Sequence, residues 1–137
     1  MLVLAACDRE PVDSRPERVV EAFVERMSAV HGDPTRGKLA LELLWERARA
    51  NLQQRAERAT AATGRRIEPE EMLVPSRFSL RFEPKRFQAE THGDYSRVVV
   101  VGQDASETAE VHCVREGGKW RVVVELPELP PIRQRGS

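Results

Sequence analysis

The amino-acid sequence predicts an α+β fold in which N-terminal helices pack on a curved antiparallel β-meander. Three observations predict it. Apolar residues recur at helical spacing from Val19 to Ala59, the period falls to two from Phe78 to Leu126, and short turn signals join the period-two stretches. Helices come first and strands second, the segregation expected of this class. The chain of 137 residues is long enough for one hydrophobic core and too short for two.

The first helix is expected to start at Ser14-Arg15-Pro16-Glu17, with Ser14 as N-cap, Pro16 in the first turn and Glu17 at the capping-box position. Val19, Phe23, Met27 and Val30 then form its apolar stripe. His31-Gly32-Asp33-Pro34 closes it, with Gly32 suited to a left-handed C′ position and Pro34 to the next helix start. A second helical region runs from Thr35 to Thr63 with Leu41, Leu44, Trp45, Ala48, Leu52, Ala56 and Ala59 on one face, and Gly64 ends it. Its length predicts a break near Leu43 to Trp45, although no Gly or Pro marks one. One helical turn is expected at Pro69 to Met72.

Five strands are expected: Phe78–Phe82, Phe87–His92, Arg97–Gly102, Thr108–Arg115 and Trp120–Leu126. Centring the turns places Cys113 opposite Val122, Val111 opposite Val124, Ala109 opposite Val99, His112 opposite Ser96 and His92 opposite Arg97. The second sheet face then carries Val98, Val100, Val114 and Val123, too apolar for a fully wetted face, so part of it is expected to be covered.

Lys+Arg and Asp+Glu balance at 22 each, so the charge offers no case for nucleic acid as a partner. Arginines at 47, 49, 55, 58, 65 and 66 interleave with glutamates and read as a solvated helix face. No run approaches the roughly 18 apolar residues of a spanning helix.

The first ten residues carry the most specific chemistry. Leu4-Ala5-Ala6-Cys7 resembles the bacterial lipobox, in which small residues let the peptide enter the modifying enzymes extended and the cysteine thiol takes a diacylglyceryl group. Signal cleavage is then expected between Ala6 and Cys7, with Cys7 the lipidated first residue of the mature chain. Only six residues precede Cys7 and none is basic, so the stretch matches the end of a signal whose n-region is missing. Two or three acyl chains, at about 0.8 kcal/mol per buried CH₂, anchor a protein stably where one is marginal. The expected organisation is a signal end over 1–6, a flexible tether over 7–16, one domain over 17–127 and a tail over 128–137.

Val19 to Phe23, His31-Gly32-Asp33-Pro34, Thr63-Gly64-Arg65 and the final Gly118-Lys119-Trp120-Arg121-Val122 together resemble the cystatin-like, nuclear transport factor two-like superfamily. Small bacterial lipoproteins of unknown function with this domain are the nearest group. The resemblance implies a cone enclosed by helices and bent sheet, whose open end holds a small molecule; enzymatic members place Asp, His or Tyr inside it. Phe23, Trp45 and Trp120 are the candidate pocket lining.

Acid–base groups are scarce. Tyr95, the only tyrosine, is expected in a surface turn, and Cys113 reads as a small buried hydrophobe. His92, His112 and Asp94 lie toward one end of the sheet, but two histidines beside an arginine without a fixed third ligand assign no metal. No catalytic residue and no cofactor is assigned. The expected function is a lipid-anchored envelope protein facing the periplasm, its membrane partner reached through Cys7, with a non-catalytic domain binding a protein or small apolar ligand. The alternatives are a small isomerase- or hydrolase-type enzyme using the cone, with a cluster around His112 or Glu110, and a cytosolic homodimer joined through the sheet face.

Overall fold

A computed structural model of the chain describes residues 10–30, 33 and 35–131. Ala6, Cys7, the turn residues His31, Gly32 and Pro34, and the end of the tail from 132 lie outside the described residues.

Helix α1, Pro16–Ala29, buries Val19, Val20, Phe23, Val24 and Met27; of the stripe expected from spacing, Val30 is instead the half-buried C-cap. Its start differs in detail. Arg15, in extended conformation, is the N-cap and makes no side-chain cap bond, while Pro16 begins the helix, where its missing N–H costs nothing. Ser14 instead closes a turn, its N–H donating to the Pro11 carbonyl at 3.0 Å. Part of the span read as tether is therefore packed: Asp13 accepts from the Trp120 N–H at 2.9 Å, and its carboxylate pairs with Arg121 at 3.0 Å.

The second helical region is broken where expected, into α2, Thr35–Leu41, and α3, Glu46–Thr63. Tertiary hydrogen bonds accompany the break. The Leu43 carbonyl accepts from the Val122 N–H at 2.7 Å, the Trp45 N–H donates to the Val122 carbonyl at 2.9 Å, and Leu44 forms a parallel bridge with Val122. Four residues leave helical geometry, and the edge of the last strand gains partners for its backbone groups. Helix α3 ends at Gly64, whose φ of 71° is the left-handed conformation that glycine adopts without steric cost. A 3₁₀ turn over Pro69–Met72 packs on α2 and α3, and a four-residue helix α4, Pro75–Phe78, follows.

The sheet has four antiparallel strands in the order β1-β2-β3-β4: Arg86–His92, Tyr95–Val101, Thr108–Glu116 and Lys119–Val123. The fifth expected strand, Phe78–Phe82, does not form. Its alternating residues Phe78, Leu80 and Phe82 instead pack part-buried against the core, and pairing begins only where the Lys85 N–H reaches the Val101 carbonyl at 2.8 Å.

Pairing of Cys113 with Val122 is observed as expected. Strand β4 ends at Val123, so no Val111–Val124 ladder pair forms. Between β2 and β3 the register is shifted by one residue: Ala109 pairs with Val100 and His112 with Arg97, because the connector Gly102–Glu107 is closed by Gly102 N–H donating to Glu107 O at 2.8 Å. His92 pairs with Tyr95 across a two-residue turn rather than with Arg97. A one-residue slip exchanges the two faces of a strand. Val98 and Val100 consequently lie in the core beneath α1 with Cys113, Trp120 and Val122, while Val99 joins Val101, Val114 and Val123 on the outer face, half-buried.

Candidate functional site

An open apolar region arises where β4 leaves the sheet early. Asn51 and Arg55 on α3 donate to the Pro127 carbonyl at 2.9 and 2.7 Å, and Arg58 donates to the Pro130 carbonyl. These bonds draw the segment after Val123 along α3. Thr108–Val111 of β3 consequently have no β4 partner.

Beside this stretch lie two adjoining hollows, of about 440 and 290 Å³, which share Ser79, Leu80 and Ala109. The larger is completed by Arg81, Phe82, Ser106, Glu107 and Thr108, and the smaller by Phe23, Phe78, Val111 and Val122 to Val124, with Arg77, Glu110 and His112 also bordering it. Gly102 lets the wall come close: a Cβ there would meet Phe82 Cδ2 at 2.7 Å and Glu107 Cβ at 2.8 Å. Together they form an open, mostly apolar cleft whose arginines, 77 and 81, have no charged partner among the described residues.

Of the three residues expected to line a pocket, only Phe23 does so here. It is 4% exposed and meets Phe78 edge-on, with ring centroids 5.9 Å apart at 88°. Trp45 lies on the other side of the segment 124–128, its indole N–H donating to the Val124 carbonyl at 3.0 Å, and borders only a crevice of about 30 Å³. Trp120 is buried in the core beside Arg115, whose guanidinium carbon sits 5.3 Å from the ring centroid. The cleft's other apolar residues, Leu80, Phe82 and Ala109, were obscured in the sequence because their alternation with charged residues equally fits a strand.

Titratable groups gather on the outer sheet face. Tyr95 is not in a turn but opens β2, where its ring stacks on His112 at 5.7 Å and its hydroxyl bonds His112 Nδ1. His112 Nε2 lies 3.9 Å from Glu110, and Arg97 pairs with Glu110 at 2.6 Å. His92 faces Glu90 at 3.4 Å and Asp94 bonds Arg115 at 2.9 Å, so neither joins His112. Among the described residues no group of three or more His, Cys, Asp or Glu is placed to hold a metal ion. Of the arginines expected on the helix face, Arg49 pairs with Glu46 at 2.8 Å, while Arg65 and Arg66 lie beyond the end of α3, Arg66 pairing with Glu68 at 2.6 Å.

Cys113 is fully buried, and burial, with a smaller contribution from Glu17, pushes its thiol from 9.0 up to about 12. A raised pKa means that the folded chain keeps a proton the unfolded chain releases. Its stabilising effect is complete below pH 9 and is lost as pH rises toward 12. The folded thiol is expected to resist a disulfide reagent at pH 8 and to react once urea unfolds the chain. Cys113→Ala should show a shallower loss of stability above pH 9; equal slopes would contradict this account.

No known protein family matches this sequence, and neither a curated protein nor a solved structure is significantly similar to it.

Proposed function

We propose that this chain is a lipid-anchored envelope protein, held through acylated Cys7, whose non-catalytic domain binds a small apolar ligand with an anionic head. The single observation that carries the binding assignment is the cleft beside β3, with Phe78, Leu80, Phe82 and Ala109 as an apolar wall and Arg77 and Arg81 at its margin. Concave apolar surface with a few polar groups at its rim is the usual form of a small-ligand site. In this reading the fold is of the nuclear transport factor two-like type and the cleft is the open end of its cone. Arg77 and Arg81 are exposed and have no acidic partner among the described residues, so a carboxylate or phosphate head satisfies them without breaking a pair seen there.

The chemistry of the titratable groups supports binding over catalysis. General acid–base work needs groups converging in a water-excluded pocket. Tyr95 is 42% exposed, the side chains of His112 and Glu110 are 43% and 48% exposed, and Arg97 already holds the Glu110 carboxylate. A surface network of this kind orders side chains at little energetic gain. The anchoring part of the proposal rests on Leu4-Ala5-Ala6-Cys7 followed by the polar Asp8-Arg9-Glu10.

A two-arm experiment tests both parts. Calorimetric titration should show decanoate binding more tightly than decanol, Arg81→Glu weakening decanoate about two- to fivefold, the range of an exposed charge pair, and Ala109→Trp abolishing both. No heat with either ligand would refute the binding assignment. In cells expressing the gene with the codons upstream of Met1, Cys7→Ala should move the protein from the membrane to the soluble fraction. Retention at the membrane would refute the anchor and leave the cleft untouched.

A further inference from the structure

The two outer strands of the sheet are treated very differently. The β4 edge is occupied along its length: Trp120 N–H donates to Asp13 O, Val122 N–H to Leu43 O, and Val122 O accepts from Trp45 N–H. Strand β1 has no such cover among the described residues, and every residue in it except Phe87 is exposed. An uncovered edge strand is a template for another strand.

Which backbone groups point outward follows from the β1–β2 turn. His92 and Tyr95 flank a two-residue loop, Gly93-Asp94, with Gly93 at φ 60° and no positive φ at Asp94, the pattern of a type II′ hairpin. Such a loop closes on a hydrogen-bonded pair, and pairs alternate from there. Glu90 and Gln88 thus bond to β2, and the N–H and C=O groups of Phe87, Ala89 and Thr91 face away from the sheet.

We propose that the occupant of this edge is a second copy of the chain, paired antiparallel through β1 about a two-fold axis at Gln88, joining two four-stranded sheets into one. The register is chosen by side-chain complementarity. Centred on Gln88, the outward groups of Phe87 bond those of Ala89 in the second copy. Arg86 then stands opposite Glu90 of that copy at a non-hydrogen-bonded position, where facing side chains are closest. The axis repeats the pair, so two opposite-charge contacts form on the outer face. Arg86 has no acidic partner within its own chain among the described residues, and Glu90 has only His92 at 3.4 Å. On the inner face the half-buried ring of Phe87 covers the exposed methyl of Ala89 from the other copy. Centred on Ala89 instead, Arg86 would face His92 and Gln88 would face Glu90, and both charge contacts would be lost. The same charges deter strands of unrelated sequence, since only this register neutralises them. This dimer uses the edge, not the sheet face, and stands independently of the cleft.

Sedimentation equilibrium of the full chain in reducing buffer is expected to show a monomer–dimer equilibrium that weakens as salt is added. Arg86→Glu and Glu90→Arg should each weaken dimerisation by about tenfold or more, because each places like charges opposite one another twice. The double variant carrying both reversals should recover most of the wild-type affinity. Ala89→Pro, checked for retained fold by circular dichroism, should give a monomer because it removes an outward N–H at the centre of the edge. A chain that is monomeric at every concentration, or a dimer that survives both single reversals unchanged, would overturn the proposal. So would a double variant no better than its parents.

Discussion

Phe23→Ala is expected to lower the free energy of unfolding by about 3–5 kcal/mol, the range for truncating a fully buried aromatic ring. Phe23 is 4% exposed and sits in the core cluster with Val19, Val20 and Met27 from its own helix. Its ring also meets Phe78 edge-on at 5.9 Å, a contact worth about 0.5–1.5 kcal/mol beyond the area it buries. Domains of this size are stable by about 5–15 kcal/mol, so the variant is expected to be partly unfolded at moderate temperature. Phe78→Ala should cost clearly less, because Phe78 is only half-buried at the margin of the cleft. Urea denaturation of both variants gives the order. If Phe78→Ala proved the more damaging, the core would be centred on the cleft wall and not on α1.

Periodicity carried most of the fold. The stripe of α1, the glycine stop of α3 and the four strands follow from which residues water rejects and at what spacing. Residues 78–82 were misleading because Phe78, Leu80 and Phe82 alternate as a half-buried strand does. An alternating segment becomes a strand only if an edge is there to pair with, and local sequence does not contain that information. The same limit applies to the β2–β3 register. Loop residues 102–107 determine it through hydrogen bonds that involve Gly102, Asp104 and Glu107, and an error of one residue moved Val98, Val99 and Val100 to the wrong faces. The position of Phe23 in the core was legible because it lies on a helix whose face is fixed by its neighbours. The surroundings of Trp45 and Trp120 were not, because they depend on where β4 stops.

Val122→Pro tests the cause of the break between α2 and α3. Within α2 and α3 the chain has ordinary helix formers, and nothing at Glu42 to Trp45 forbids helix in the way Pro or Gly would. The break is instead matched to Val122, which is 1% exposed, gives its N–H to Leu43 and takes the Trp45 N–H on its carbonyl. Proline at 122 removes the first of these bonds and clips the buried side chain. The expected cost is about 3 kcal/mol or more, above the roughly 1–3 kcal/mol of Val122→Ala, which truncates the side chain but keeps both backbone bonds. Backbone chemical shifts separate the two effects. In Val122→Ala residues 42–45 should keep non-helical shifts; in Val122→Pro they should move toward helical values, the Trp45 N–H turning to the Leu41 carbonyl four residues back, while the shifts of α1 stay in place. Non-helical shifts that persist in the proline variant would mean that the break is a property of the helical segment itself. A gain of helix would place its origin in β4, where a single strand residue both ends one helix and fixes the start of the next.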